Sequence, residues 1–282
     1  MTDIGTRVKD AAMVCKGARG QDLWVISLPA VRQLANEIGL SLREAEIAAL
    51  EHQVVPSRYR RNLGTVGWEG QIALLRATVG VVGAGGLGGW IIEGLARMGL
   101  GRLIVVDGDV FEENNLNRQA FCTESTVGQS KVEAAWQRVA KVNAAVEVVT
   151  HQVHVDEAQM VDLLSGAQVL VDALDTLPAR LTLQRAAQKL GLPLVHGAIA
   201  GYVGQVMTIL PGDPGLQGLY GSGAVPERGA EVQWGNPAAT PMMVAAWQIQ
   251  EVVKWITGRG EPLRGRLLIL DSEVGESYIL RM

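Results

Sequence analysis

Residues 78–88 constrain this chain more than any other stretch. Thr78-Val79-Gly80-Val81-Val82 is a β-branched run broken only by Gly80, and it reads as a buried strand. Gly83-Ala84-Gly85-Gly86-Leu87-Gly88 follows at once, and a helical pattern occupies residues 87–98. This is G-x-G-x-x-G between a strand and a helix, the context in which that pattern has meaning. The first glycine permits a tight turn, the second lets a phosphate approach the backbone, and the third lets helix and strand pack closely. The helix N-terminus adds free N–H groups and a partial positive charge. Asp107, nineteen residues past Gly88 and at the end of the next strand, is placed to accept a ribose diol.

Strands and helices alternate from there on. Strands are expected over residues 102–106, 146–150, 169–171, 194–195 and 203–210. Helices are expected over 87–98, 130–143, 156–164, 181–190 and 242–257, with closing strands at 266–270 and 277–281. Val132, Ala135, Trp136, Val139 and Ala140 are expected to share one face of their helix. The pattern predicts a Rossmann-like α/β fold: a mostly parallel sheet, helices on both faces, antiparallel closing strands. Residues 211–240, rich in proline, read as loop.

The chain divides near residue 57. Residues 1–56 read as a small helical extension, and 57–282 as a nucleotide-binding domain. Ser27-Leu28-Pro29 looks like a helix start, Gly39 a C-cap, and Ser41 with Glu44 a capping box. The pair of helices resembles a helix-turn-helix, but Glu44, Glu46 and Glu51 against one Arg43 would repel phosphates. The net charge of −4 likewise argues against a nucleic-acid or anionic-membrane binder. Residues 77–92 are apolar but too short for a membrane span, which needs about 20 residues. With no signal-like pattern at residues 1–7, a cytoplasmic protein is expected. Cys15 and Cys122 alone cannot build a disulfide framework or an all-cysteine zinc site.

The glycine loop does not separate NAD from ATP. The run Asp107-Gly108-Asp109, then Asn114-Asn115-Leu116-Asn117-Arg118-Gln119, and Lys131 opening the next helix favour ATP. A hydride-transfer enzyme has no need of fixed cations beyond the ribose carboxylate. A triphosphate does, because Arg118 and Lys131 can neutralise it and stabilise charge that develops at phosphorus. Asp172 and Asp175 follow a strand whose C-terminus faces the ligand crevice. Asp175 is suited to Mg²⁺, which takes one or two carboxylates plus phosphate oxygens; Asp172, nearer the strand, reads as structural.

Residues 58–282 resemble the ThiF/MoeB/HesA adenylyltransferases, bacterial relatives of the ubiquitin-activating enzyme. The markers are Arg58-Tyr59-Arg60-Arg61-Asn62, Gly70-Gln71, residues 83–88, 107–119, 128–131, 172–175, Gly204-Gln205 and residues 248–254. The resemblance implies ATP- and Mg²⁺-dependent adenylation of the C-terminal Gly-Gly carboxylate of a small ubiquitin-like sulfur-carrier protein. By position it implies that Gly83, Gly85, Gly86, Gly88, Asp107, Asp109, Asn114, Asn115, Arg118 and Lys131 bind the nucleotide. It implies that Asp175 holds Mg²⁺, and that Arg61 acts in trans from the partner of a homodimer. Arg61, Arg118, Lys131 and Asp175 form the expected catalytic set.

Many relatives bind zinc through paired cysteines; residues 216–221 and the C-terminus hold none, so no zinc is expected. Residues 229–236, where relatives often carry a reactive cysteine, also lack one, so an external sulfur donor is expected. Cys122 reads as a buried thiol. His196 reads as a packing or partner-tail residue at a strand end, since no carboxylate partner is visible. The tryptophans read as mostly core, with Trp68 and Trp234 placed to shape a groove for an extended tail. Adenylation of another carboxylate, an NAD oxidoreductase, and a non-catalytic binder on the same fold stay open at this point.

Overall fold

The computed structural model describes residues 3–17, 20–221, 226 and 229–282. The elements run in chain order α1 (Ile4–Asp10), β1 (Met13–Lys16), β2 (Asp22–Ile26), α2 (Leu28–Ile38), α3 (Leu42–Glu51), β3 (Val54–Pro56), α4 (Leu63–Arg76), β4 (Thr78–Val82), α5 (Gly86–Met98), β5 (Arg102–Val106) and α6 (Lys131–Val142). They continue with β6 (Glu147–His151), α7 (Glu157–Leu164), β7 (Val169–Asp172), α8 (Leu177–Leu190), β8 (Leu194–Ala200), β9 (Val203–Ile209), α9 (Gly215–Tyr220), α10 (Glu231–Trp234), α11 (Ala239–Thr257), β10 (Arg266–Asp271) and β11 (Glu276–Arg281).

Among the described residues eight strands form one sheet, ordered β11-β10-β9-β8-β7-β4-β5-β6. The pairs from β8 through β6 are parallel; β8–β9, β9–β10 and β10–β11 are antiparallel. This is the expected mostly parallel sheet with antiparallel closing strands. Chain order reverses between β4 and β7, so the loops after those two strands open into one crevice.

Alternation along the strands explains the two cores. Val79, Val81, Leu103 and Val105 face a core shared with Ile91, Leu95, Val139 and Val252, from α5, α6 and α11. Val82, Ile104, Val106 and Leu170 face the opposite core with Leu164 and Leu183, from α7 and α8. Both faces of β4 are therefore covered, which is why it reads as a continuous β-branched run. Gly80 falls where a Cβ would lie 2.8 Å from the Leu164 and Leu170 side chains.

The N-terminal part corrects the helical expectation. α2 and α3 form as read, with Ser27 and Ser41 capping and Gly39 at φ 72°. Yet β1 and β2 pair antiparallel, and β2 pairs parallel with β3, into a second, three-stranded sheet. β1 was unreadable because it is an edge strand with Met13 and Val14 exposed, so burial imposes no period on it. α4 was also missed: Gly64, Gly67 and Gly70 weaken its signal, and Gly67 breaks the helix at φ 71°.

Four further expectations change. In α6, Val132, Ala135 and Val139 are buried, whereas Trp136 and Ala140 point outward. Most tryptophans are not core, since Trp24, Trp136, Trp234, Trp247 and Trp255 are all exposed. Glu46 is not on a solvated acidic face but fully buried. Part of the 211–240 stretch lies outside the described residues; α9 and α10 interrupt the rest. No described helix is long and apolar enough to cross a membrane.

The two parts are joined by a closed polar knot. The Tyr59 hydroxyl donates to Glu46 Oε2 at 2.9 Å and accepts from Asn143 Nδ2 at 2.9 Å. Arg58 pairs with Glu46 at 3.5 Å and also donates to Asn143 Oδ1. Burial pushes the Tyr59 hydroxyl far above its ordinary range, and Glu46 beside it raises it further, so it stays a neutral donor. Val25, Leu50, Val55 and Leu75 close around the knot.

Candidate functional site

The crevice between β4 and β7 holds a cavity of about 520 Å³. Its floor is the glycine loop. Gly83 has φ 97°, and a Cβ there would lie 2.4 Å from the Ala173 carbonyl oxygen. A Cβ on Gly88 would lie 1.9 Å from the Gly83 carbonyl oxygen. No side chain fits either position, so β4, the turn and α5 approach as the motif requires. Gly83, Gly85 and Gly86 line the cavity; Gly88 sits behind them and serves the packing.

Asp107 braces this loop. Its Oδ2 accepts the Ala84 N–H at 2.7 Å and its Oδ1 accepts the Asp109 N–H at 2.8 Å. Each oxygen keeps a second lone pair, so the carboxylate can still accept ribose hydroxyls. Burial raises its pKa; Lys131 and the two backbone donors pull the other way.

Lys131 opens α6 and is 7% exposed, with its Nζ 2.8 Å from Asp109 Oδ2. Arg118 lines the cavity with its stem against Gly86. Its guanidinium donates to the Asn114 carbonyl at 3.0 Å and to Asn117 Oδ1 at 2.8 Å. Asp175 is an exposed residue on the cavity wall, in the turn between β7 and α8. The glycine loop, Asp107, Asp109, Arg118, Lys131 and Asp175 thus share one cavity although they span 93 positions of sequence.

Three expected residues lie elsewhere. Asn114 is exposed and outside the cavity lining, where its carbonyl receives Arg118. Asn115 is buried, also outside the lining, and its Oδ1 accepts the Glu112 N–H at 3.1 Å. Both shape the loop that carries Arg118. Arg61 is exposed in the turn before α4 and does not line its own chain's cavity.

Other lining residues had been given no role. Gln119 is buried beside the glycine loop. Arg180 is 6% exposed and donates to the Leu174 carbonyl at 2.6 Å. Its only sequence signal is an arginine in the first turn of a helix after an acidic pair, too common to notice. His196 is a correction. It lies within β8, not at a strand end, and it has a carboxylate partner: Nδ1 is 2.7 Å from Asp172 Oδ2, both fully buried. Cys122 is buried as expected, and burial raises its thiol pKa. Trp68 packs against the Leu50 and Tyr59 cluster, whereas Trp234 lines a hollow with Tyr202 and Asp271 that Trp68 does not line.

Backbone N–H groups at a helix N-terminus, two cations and a braced carboxylate fit a nucleoside triphosphate. No group of three or more His, Cys, Asp or Glu among the described residues makes a metal site alone. A divalent cation at Asp175 would need phosphate oxygens to complete its shell.

Comparison with known proteins agrees with this reading. The ThiF family profile matches residues 59–281. The chain is 39% identical over 221 residues to the SAMP-activating enzyme E1 of Haloferax volcanii, covering 76% of this chain and 81% of that protein. It is 37% identical over 229 residues to the sulfur carrier protein adenylyltransferase of Thermus thermophilus, covering 76% and 83%. Among solved structures, E. coli MccB with ATP has the same fold, at TM-score 0.66 and 22% identity over 80% of this chain and 71% of that one. The chain belongs to the ThiF family.

Proposed function

We propose that this protein is an ATP-dependent adenylyltransferase that activates the C-terminal Gly-Gly carboxylate of a small ubiquitin-like sulfur-carrier protein. The observation that carries the proposal is the convergence of the glycine loop, Arg118, Lys131 and Asp175 on one cavity. The two relatives named for activating SAMP and a sulfur carrier support the same substrate class.

In this reading the glycine-loop amides hold the phosphates, and Asp107 accepts the ribose hydroxyls. A carboxylate oxygen of the carrier forms a bond to the α-phosphorus as the bond to the bridging oxygen of the β-phosphate breaks. Pyrophosphate departs with that electron pair, and the acyl-adenylate remains. Arg118 and Lys131 stabilise the negative charge growing on the phosphoryl oxygens. Lys131 is already oriented by Asp109, so little reorganisation is needed. Mg²⁺ bound between Asp175 and the phosphates would neutralise the leaving pyrophosphate. Arg61 reaches the cavity of the partner in a homodimer, and its exposed position away from its own cavity supports that role. Residues 229–236 contain no cysteine, so sulfur comes from an external donor.

ATP–pyrophosphate exchange, with and without carriers ending in Gly-Gly, tests this. Exchange is expected only with a carrier, and Arg118→Ala should lower it about 10²–10³-fold, the usual loss for one transition-state charge contact. Exchange indifferent to Arg118 would contradict the proposal.

A further inference from the structure

Asp175 is the exposed residue of a short turn, and what holds that turn is unusual. β7 and β8 are adjacent parallel strands deep in the sheet, where apolar residues are the rule. Yet Asp172 and His196 face one another in register at the C-terminal end of β7, both fully buried. Asp172 uses both oxygens: Oδ2 meets His196 Nδ1 at 2.7 Å, and Oδ1 accepts the Leu174 N–H at 3.0 Å. From the other side, buried Arg180 donates to the Leu174 carbonyl at 2.6 Å. Both polar groups of the residue next to Asp175 are therefore gripped by buried side chains. The Arg180 Nε has no hydrogen-bond partner, so this arginine is buried at a cost.

Gln248 extends the network by donating to the Asp172 carbonyl at 2.8 Å, and Gln205 lies 3.5 Å from His196 Nε2. Burial lowers the His196 pKa despite Asp172, and a proton on Nδ1 would let the ring donate to the carboxylate. Replacing buried polar groups by apolar ones of similar shape is often neutral for stability.

We propose that His196, Asp172 and Arg180 are positioning residues: a buried clamp that fixes the turn bearing Asp175 and so sets its grip on the nucleotide-bound divalent cation. The proposal rests on the metal role assigned to Asp175 above.

The test is Mn²⁺ binding, followed by electron paramagnetic resonance, to protein saturated with an ATP analogue carrying a methylene between the α- and β-phosphates. His196→Leu removes the donor, whereas His196→Asn keeps an N–H near the Nδ1 position. His196→Leu should weaken Mn²⁺ binding about tenfold, the scale seen when a residue orienting a metal ligand is removed. His196→Asn should restore most of it. Adding His196→Leu to Asp175→Ala should weaken binding no further than Asp175→Ala alone. Wild-type binding by His196→Leu, or fully additive losses in the double variant, would overturn the clamp while leaving Asp175 in place. Wild-type binding by Asp175→Ala would instead overturn the metal reading beneath it. Should His196→Leu not fold, Arg180→Lys, which replaces the guanidinium donor on the Leu174 carbonyl but keeps the charge, carries the same prediction.

Discussion

A cation meets a carboxylate in two contrasting places in this molecule. Where the N-terminal part meets the part that carries the eight-stranded sheet, Arg58 and Glu46 are grouped with Tyr59 and Asn143, and Glu46 is fully buried. At the cavity wall, Lys131 pairs with Asp109, whose side chain is 52% exposed. The first pair is held in place by hydrogen bonds to Tyr59 and Asn143. The second opens onto space that a phosphate can enter, so the lysine can exchange one anion for another. Similar chemistry is a joint in one place and a binding group in the other, and access to solvent makes the difference.

The contrast can be broken from either side. The largest effect is expected at the open pair. Lys131→Ala should cut carrier-dependent pyrophosphate exchange about 10²–10³-fold while the protein stays folded. An unchanged rate would remove Lys131 from the chemistry. Glu46→Ala should do the reverse. It strands a half-buried guanidinium and a buried hydroxyl, and should destabilise the fold by about 3 kcal/mol, the lower end for a broken buried pair because Arg58 is partly exposed. Urea denaturation reads this, and nucleotide affinity of the folded fraction should be unchanged.

A smaller effect is expected where the N-terminal part carries only local structure. Ser41→Ala removes the side-chain half of the α3 capping box, the Oγ that accepts the Glu44 N–H, and should cost about 1 kcal/mol in the same denaturation assay. A loss as large as that of Glu46→Ala would show that α3 is coupled to the joint more tightly than described.

The smallest signal is a pH slope. Burial raises the Glu93 pKa, but hydrogen bonds from Arg138 and Arg97 outweigh it and hold the carboxyl below its ordinary value of 4.5. Its contribution is therefore present above pH 4.5 and is lost as pH falls through the lowered value. Glu93→Gln should flatten the stability profile in that acid range and leave its shape unchanged near neutrality. An identical acid limb in both proteins would contradict the assignment.

The same contrast explains what could be read in advance. β4 and the glycine loop were legible because both faces of the strand are buried and no residue but glycine fits at positions 83 and 88. Each position there has one solution, and it shows in the letters. Arg118 and Lys131 were picked out by the run that follows Asp107, and Asp175 by the end of its strand; all three line the cavity. The clamp was not, because His196 meets Asp172 only through the register of two strands whose sequences lie 24 positions apart. Glu46 was misread for the same reason. Helical spacing puts it beside Arg43 and Leu50, but tertiary packing seals it against Tyr59. β1 and the exposed tryptophans were misread because solvent, unlike a core, imposes no pattern.

The central claim is that this cavity transfers AMP to a carrier's terminal carboxylate. The most direct measurement is mass spectrometry of a Gly-Gly-terminated carrier after incubation with the protein, ATP and Mg²⁺, quenched before hydrolysis. The account predicts a carrier heavier by one adenylate, acid-stable but cleaved by hydroxylamine to the C-terminal hydroxamate, and absent with Arg118→Ala. An unmodified carrier, despite ATP bound in the cavity, would contradict it.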